Sequence, residues 1–344
     1  MWPPSAQEKP SEEKLKDRDT SLYNLVMNKL LVICGPTATG KTSLALHLAE
    51  KFGGELVSAD SRQVYRGMDV ITGKGIPVNF KFKISNLKLG AEEIGYWTDS
   101  RLKIWLTDIV TPTAPFSVSQ WRKEAKKTID RLLQKDRLPI VVGGTGLYIE
   151  SLIKKIESID IPPNKKLRTE MEGKSAKELY ETLASVDAIR AANMNQSDKK
   201  NPRRLLRAIE VGLSRERQSK RQSKEFNYLL IGLIAPRDVM FEKIKKGILK
   251  RLEEGALGEV EKLISQGVSW DAQSMTGIGY RELKPYFEKR ENLEVCIKNW
   301  IKAEQRYARR QLTWFKKYKE LKWFDVSREN WRQEVEILVQ NWYN

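Results

Sequence analysis

Gly35-Pro36-Thr37-Ala38-Thr39-Gly40-Lys41-Thr42 is the stretch that decides the fold. It follows the apolar run Leu30-Leu31-Val32-Ile33-Cys34 and precedes a helix-period pattern over residues 42–51, with Leu44, Ala45, Leu48 and Ala49 on one face. A Gly-x-x-x-x-Gly-Lys-Thr run between a buried strand and a helix is a P-loop in the context that confirms one. Backbone N–H groups of such a loop, together with the helix N-terminus, bind phosphate oxygens. Lys41 adds a point charge, and the Thr42 hydroxyl is a ligand for Mg²⁺. A glycine-containing turn without a ligand is the bland alternative, and the strand-loop-helix setting argues against it.

Working outward, strand patterns recur at residues 55–59, at Leu138–Val142 after a helical stretch over 118–134, and at 228–234 before Pro236. Strands alternating with helices predict an α/β fold, a P-loop NTPase-like parallel sheet core covered on both faces. Residues 1–20 alternate Pro, Ser, Glu, Lys and Asp without apolar periodicity and are expected to be a disordered tail. Residues 21–160 form the first part of the core. Residues 161–224 open with Pro162-Pro163 and continue as polar helices dense in Lys and Arg, an inserted helical lobe. Residues 225–344 return to the core with its last strand, at 228–234, and then run as C-terminal helices. Between 76 and 107 charged and apolar residues alternate irregularly, and no element is assigned.

The 344 residues carry 62 Lys and Arg against 45 acidic residues, a net charge of +17. A polyanionic partner and a merely soluble basic enzyme both fit that total. Its distribution favours nucleic acid: residues 199–224 hold ten Lys/Arg and two Glu, and residues 298–319 hold eight and one. On a helix Arg306, Arg310, Thr313 and Lys317 share one face, while Ile301, Ala308, Leu312 and Phe315 lie on the other. Cys34 and Cys296 have no metal-ligand spacing and fit a reducing compartment, so a cytoplasmic protein is expected. No stretch is long and apolar enough to span a membrane, and the N-terminus lacks the apolar core of a signal peptide. The single histidine, His47, belongs to the surface of the first helix, which makes histidine acid/base chemistry improbable.

The strand at 55–59 delivers Asp60-Ser61-Arg62-Gln63 at its carboxyl end, where ligands bind in open α/β sheets. Asp60 has three readings: a helix cap, a metal ligand, or a base for a nucleophile's proton. On the residues alone the cap ranks first. Most P-loop proteins act on a nucleotide γ-phosphate with a second acidic Mg²⁺ ligand at a later strand end. Here the strand Leu138–Val142 ends instead in Gly143-Gly144-Thr145-Gly146, although Asp108 could supply such an acid.

Three ordered blocks, the P-loop, Asp60 through Asp69 (Asp-Ser-Arg-Gln-Val-Tyr-Arg-Gly-Met-Asp), and Gly143-Gly144-Thr145-Gly146-Leu147-Tyr148, closely resemble the tRNA dimethylallyltransferase family. Gly277-Ile278-Gly279-Tyr280-Arg281-Glu282 and Tyr307-Ala308-Arg309-Arg310-Gln311-Leu312-Thr313-Trp314-Phe315 resemble its C-terminal signatures, so the likeness spans residues 30–318. The resemblance implies that the P-loop holds the diphosphate of dimethylallyl diphosphate, with Thr37, Lys41 and Thr42 on its oxygens and on Mg²⁺. It makes Asp60, Thr145 and Lys41 the catalytic residues, Asp60 accepting a hydrogen bond from an adenine amine. It implies further tRNA contacts at Ser61, Arg62, Gln63, Thr145, Arg203, Arg204 and Arg207, on the C-terminal blocks at Gly279, Tyr280, Arg281, Arg309, Arg310, Gln311 and Trp314, and at Arg168. The partner is then the anticodon stem-loop of tRNA, with the chain acting as a monomer.

The chain departs from the family in several places. Glu304-Gln305 stands where the family often has Thr-Arg, and Lys243, Lys245, Lys246 and Gly247 stand in place of an Arg-rich helix. Ile71-Thr72-Gly73-Lys74 replaces Gly-Thr-Ala-Lys, and Lys103-Ile104-Trp105-Leu106-Thr107 replaces a His-containing stretch. The C-terminal zinc finger of eukaryotic members is absent, which makes the bacterial type the closer likeness. Three other functions share part of the pattern: a small-molecule P-loop kinase, a prenyltransferase acting on free adenine nucleotides, and a non-catalytic RNA-binding protein.

Overall fold

The computed structural model describes residues 28–89, 92–154, 156–214 and 226–344. The predicted tail at 1–20 and the basic residues 215–224 lie outside them. The chain divides into two compact units, Met1–Ile153 with Glu225–Asn344, and Lys154–Lys224. The smaller unit thus begins at 154, seven residues ahead of the expected 161.

In the larger unit β1 (Lys29–Cys34) runs into the P-loop and α1 (Lys41–Phe52), followed by β2 (Gly54–Ser58). Residues 76–107, unassigned from sequence, contain β3 (Lys81–Leu89), β4 (Glu92–Thr98) and β5 (Lys103–Trp105). Then come α2 (Val118–Leu133), started by a Ser117/Gln120 capping box, β6 (Leu138–Val142) and α3 (Gly146–Ile153). The smaller unit holds α4 (Lys165–Glu170), α5 (Ala176–Val186), α6 (Ala188–Asn193), α7 (Gln196–Lys199) and α8 (Pro202–Leu213). Each of these starts at a side-chain cap, from Asn164, Ser175, Asp187, Asn195 and Asn201 respectively, which is how such short helices persist. The apolar faces of α4, α5, α6 and α8 meet at Leu167, Leu179, Leu183, Ala191, Leu205 and Ile209. Returning to the larger unit, β7 (Asn227–Ile234), α9 (Arg237–Glu253), α10 (Ala256–Ser265), α11 (Tyr280–Phe287), α12 (Leu293–Phe315), β8 (Lys322–Asp325) and α13 (Trp331–Tyr343) complete the chain.

The eight strands form one sheet in the order β3-β4-β5-β2-β6-β1-β7-β8. Pairings from β5 to β8 are parallel, and only β3·β4 and β4·β5 are antiparallel. The predicted parallel sheet therefore carries an antiparallel hairpin at one edge. At the other edge β8 corrects the expectation that β7 ends the sheet: Lys-Trp-Phe-Asp is four residues long, too short to show a period. Alternation along β1 sends Leu30, Val32 and Cys34 to one face and Leu31 and Ile33 to the other. The first face packs on Trp121 and Ile129 of α2, Ile244 of α9 and Trp300 of α12; the second on Leu44 and Leu48 of α1 and Val335 of α13. Among the described residues no helix is long and apolar enough to cross a membrane.

Candidate active site

The P-loop is shaped by three residues with positive φ: Gly35 (133°), Ala38 (63°) and Gly40 (81°). At Gly35 an added Cβ would lie 2.3 Å from the Leu233 carbonyl oxygen, so β7 itself demands glycine there. The loop is tied inward on the Pro36 carbonyl, which accepts from Lys41 Nζ at 2.6 Å and Thr39 Oγ1 at 2.9 Å. Gln311 of α12 latches it to the neighbouring strand end. Its Oε1 accepts from Thr37 N at 3.0 Å, and its Nε2 donates to Gly144 O at 2.9 Å.

Asp60 follows β2. Its Oδ1 accepts from Arg62 N at 2.8 Å and Gln63 N at 3.3 Å; residues 61–64 form a turn, so it closes a turn and not the helix expected from the residues alone. Oδ2 has no hydrogen-bond partner among the described residues, so one carboxylate serves both the turn and the cavity. Gly143 and Gly144 are explained by crowding: a Cβ would lie 2.2 Å from Ala59 O at the first and 2.1 Å from Gln311 Nε2 at the second. At Gly146 it would lie 2.3 Å from the Trp314 ring. Glycine is what lets the β6 end, the Asp60 strand and α12 close together.

These parts open on one cavity of about 450 Å³, whose walls include Thr37, Lys41, Thr42, Asp60, Gln63 and Arg310. Burial pulls the Lys41 pKa down to about 8, against the opposing pull of Asp60. The free protein's Lys41 therefore loses its proton as pH rises through that value. A bound diphosphate would hold the proton on. We expect dimethylallyl diphosphate to bind with proton uptake between pH 8 and 9, and with affinity falling above pH 8. Calorimetry in buffers of different ionisation enthalpy checks this; a buffer-independent enthalpy and flat affinity would remove Lys41 from the phosphate site.

The cavity collects Asp60, Ser61, Arg62, Gln63, Arg281, Arg310 and the P-loop. Other predicted positions are occupied differently. The Thr145 hydroxyl accepts from Ser61 N at 3.1 Å and so fixes the Asp60 turn. Arg62 is drawn to Gln273 O (2.5 Å) and Thr276 Oγ1 (3.2 Å). Tyr280 also belongs to the cavity wall; it is buried and donates its hydroxyl to Glu259 at 2.6 Å. Gln311 is likewise buried by its latch. Arg309 is exposed and Trp314 half-buried. Both oxygens of Asp108, the other candidate acid, are engaged. Its Oδ1 pairs with the buried Lys74, and its Oδ2 accepts from Trp97 Nε1 at 2.8 Å.

In the smaller unit Glu210 is buried under two of the predicted arginines. It accepts from Arg168 Nε at 2.7 Å and Arg207 Nη1 at 2.8 Å. Burial alone would raise the Glu210 pKa; those hydrogen bonds hold it below the usual carboxylate range. Arg168 and Arg207 are thereby structural as well as basic. Arg204 pairs with Asp198, while Arg203 is exposed with no ion-pair partner among the described residues.

Two cavity residues escape the sequence reading. Tyr307 stands in a quoted signature without a role, yet lines the cavity; burial, then Asp60, pushes its pKa up to about 12. Arg251 has only a faint signal, a cation one helical turn beyond Gly247. Its Nε donates back to the Gly247 carbonyl at 3.1 Å, and its guanidinium meets Glu304 at 2.9 Å.

Comparison with known proteins identifies the family. The IPP transferase family model matches residues 85–318, and an isopentenyl transferase model matches residues 28–87. The tRNA dimethylallyltransferase of Thermomicrobium roseum is 33% identical over 332 residues, covering 91% of this chain and 92% of its own length. That of Pelotomaculum thermopropionicum is 35% identical over 307 residues, covering 87% and 91%. The crystal structure of the tRNA isopentenylpyrophosphate transferase from Bacillus halodurans superposes with a TM-score of 0.64 at 31% identity, covering 92% of this chain and 97% of that one. With its P-loop, its carboxylate turn and both C-terminal signatures gathered at one cavity, the chain belongs to the IPP transferase family, that of the tRNA dimethylallyltransferases.

Proposed function

We propose that this enzyme transfers a dimethylallyl group from dimethylallyl diphosphate to the N6 amine of the adenosine at position 37 of tRNA, next to the anticodon. The observation that carries the reading is the sharing of one cavity by the P-loop cation Lys41 and by Asp60, which keeps one oxygen uncommitted. The amine nitrogen attacks C1 of the prenyl group, the C–O bond to diphosphate breaks, and the amine's proton passes to Asp60 Oδ2. Asp60 is needed because the amine lone pair is delocalised into the purine and gains nucleophilicity as the proton leaves. Lys41 and the loop N–H groups receive the charge that grows on the leaving diphosphate.

Thr42 is the residue that would hold Mg²⁺. Among the described residues no cluster of three acidic, His or Cys side chains could bind a metal. A single hydroxyl fits Mg²⁺ carried largely by substrate phosphate oxygens and water, where the ion neutralises diphosphate charge.

The target adenine must leave its stack, at a cost of roughly a few kcal/mol, offset by backbone contacts. Lys302, Arg306, Arg309, Arg310, Lys316 and Lys317 of α12 and its C-terminal extension have no acidic partner among the described residues. Buried Ala308 and Phe315 dock the opposite face, matching the predicted division. Arg310→Ala is expected to weaken tRNA binding and reduce the slope of log K against log salt by about one. An unchanged slope would take Arg310 out of the phosphate interface. On this reading the enzyme works in the cytoplasm with its tRNA, as a monomer.

The test of the activity is mass spectrometry of nucleosides from unmodified tRNA incubated with protein, dimethylallyl diphosphate and Mg²⁺, with AMP as a parallel acceptor. Prenylated adenosine from tRNA alone is expected. Product from AMP alone would assign the site to free nucleotides, and ATP turnover without prenylation would assign it to a kinase.

A further inference from the structure

Arg251 and Glu304 form a nearly buried ion pair in the cavity wall, with side chains 15% and 9% exposed. Such a pair is a weak source of stability, because two desolvated charges cost much of what their attraction returns. Its geometry shows another use. Glu304 is fixed by Trp300 Nε1 at 2.9 Å, and it holds Arg251 through both guanidinium Nη atoms at 2.9 and 3.0 Å. Arg251 Nη1 then donates to the Ile71 carbonyl at 2.8 Å. On the other side of the same turn, Glu259 accepts from Asp69 N (2.5 Å), Val70 N (2.6 Å) and Ile71 N (3.1 Å). The turn is clasped by its N–H groups from α10 and by its carbonyl from α9.

The next two residues of that turn present their carbonyls to Gln63. Gln63 Nε2 donates to Gly73 O at 3.2 Å and lies 3.5 Å from Thr72 O, while Ser58 Oγ reaches Oε1 at 3.4 Å. Two carbonyls on one end of an amide decide which way round it sits, because only nitrogen can donate to them. The carbonyl end of Gln63 keeps acceptor capacity in the cavity that Asp60 also lines. An acceptor pair welcomes a base edge carrying an exocyclic amine and repels one carrying a carbonyl.

We infer that Arg251 and Glu304 are positioning residues that set the amide of Gln63, and through it the preference for an amine-bearing base. The inference rests on the proposed base transfer, and it assigns the pair to the acceptor instead of to the diphosphate. Gly247, where the family's Arg-rich helix would place a side chain, would meet nothing within 4 Å. Three of the five N–H bonds of Arg251 are already engaged by Gly247, Ile71 and Glu304.

The test is a double-mutant cycle between Arg251→Met and Gln63→Ala, with separate KM values for tRNA and dimethylallyl diphosphate. Arg251→Met is expected to lower kcat/KM for tRNA about tenfold when Gln63 is present and less than about twofold when it is absent. KM for dimethylallyl diphosphate should not move. Additive losses, or a raised KM for the diphosphate, would overturn the positioning role. Glu304→Gln, which preserves shape, should show the same dependence on Gln63 and serves if Arg251→Met folds poorly. Wild-type turnover on tRNA is the control: its absence would overturn the underlying activity, whereas additivity with wild-type turnover intact overturns this inference alone.

Discussion

Asp60→Asn is expected to lower prenyl transfer to tRNA by about a thousandfold while tRNA affinity changes less than about twofold. The substitution is clean because the two carboxylate oxygens do different work. Oδ1 accepts from Arg62 N and Gln63 N, and asparagine retains an oxygen for that turn, being as good a cap as aspartate. Oδ2 becomes an amide nitrogen, which donates where the reaction needs an acceptor. The measurement belongs at pH 7. Asp60 helps keep the proton on Lys41, so its neutralisation moves the Lys41 pKa below its value of about 8 in the native site. An assay at higher pH would mix lost base with lost phosphate binding. Single-turnover rates with saturating substrates, beside tRNA binding by filter retention, separate the possibilities. Turnover within tenfold of the native protein would send the amine's proton elsewhere, and a matching loss of affinity would make Asp60 a binding group.

The parts of this site that the sequence discloses are those whose chemistry is local. A P-loop needs consecutive residues with fixed φ, so Gly35, Gly40, Lys41 and Thr42 announce themselves, and the strands around it show as uninterrupted apolar runs because both faces are covered. The hairpin β3–β4 was illegible for the converse reason. It lies at the sheet edge with Phe82 and Ile84 exposed at 37% and 63%, and a register shift between Ile84 and Leu87 breaks the two-residue period. Residue type could not say which arginines are already engaged. Arg168 and Arg207 read only as basic residues in sequence; Glu210, lying 42 and 3 positions away, gives them a structural partner as well. Residue type is equally silent on Asp108, whose two oxygens meet Lys74 and Trp97. Arg251 leaves only its faint trace beyond Gly247, because its meaning depends on Glu304, 53 residues on, and on a carbonyl 180 residues back.

The same dependence on close approach underlies the largest stability effect expected here, that of Gly143→Ala. Gly143 directly follows β6 and donates its N–H to Ile33 O at 3.1 Å, while Ala59 N donates to Val142 O at 2.8 Å. A Cβ on residue 143 would stand 2.2 Å from the Ala59 oxygen, 2.5 Å from its carbonyl carbon and 2.9 Å from its Cα. All three atoms are backbone, so no side chain can rotate away, and relief requires β2 and β6 to separate at their carboxyl ends. Residue 59 directly precedes Asp60, and its oxygen also accepts from Thr145 N at 3.2 Å. Strain at this point therefore displaces the Asp60 turn as it lowers stability. A loss of about 3 kcal/mol is expected, at the upper end for overpacking, with transfer activity falling even at temperatures where the variant remains folded. Gly258→Ala is the control: it lies in α10, nothing stands within 4 Å of its added Cβ, and the substitution should stabilise the protein by about 0.5–1 kcal/mol. Urea unfolding of both variants decides the matter. If Gly143→Ala unfolds like the native chain and still transfers prenyl groups normally, the strand ends relax freely, and close contact is not what requires glycine at residue 143.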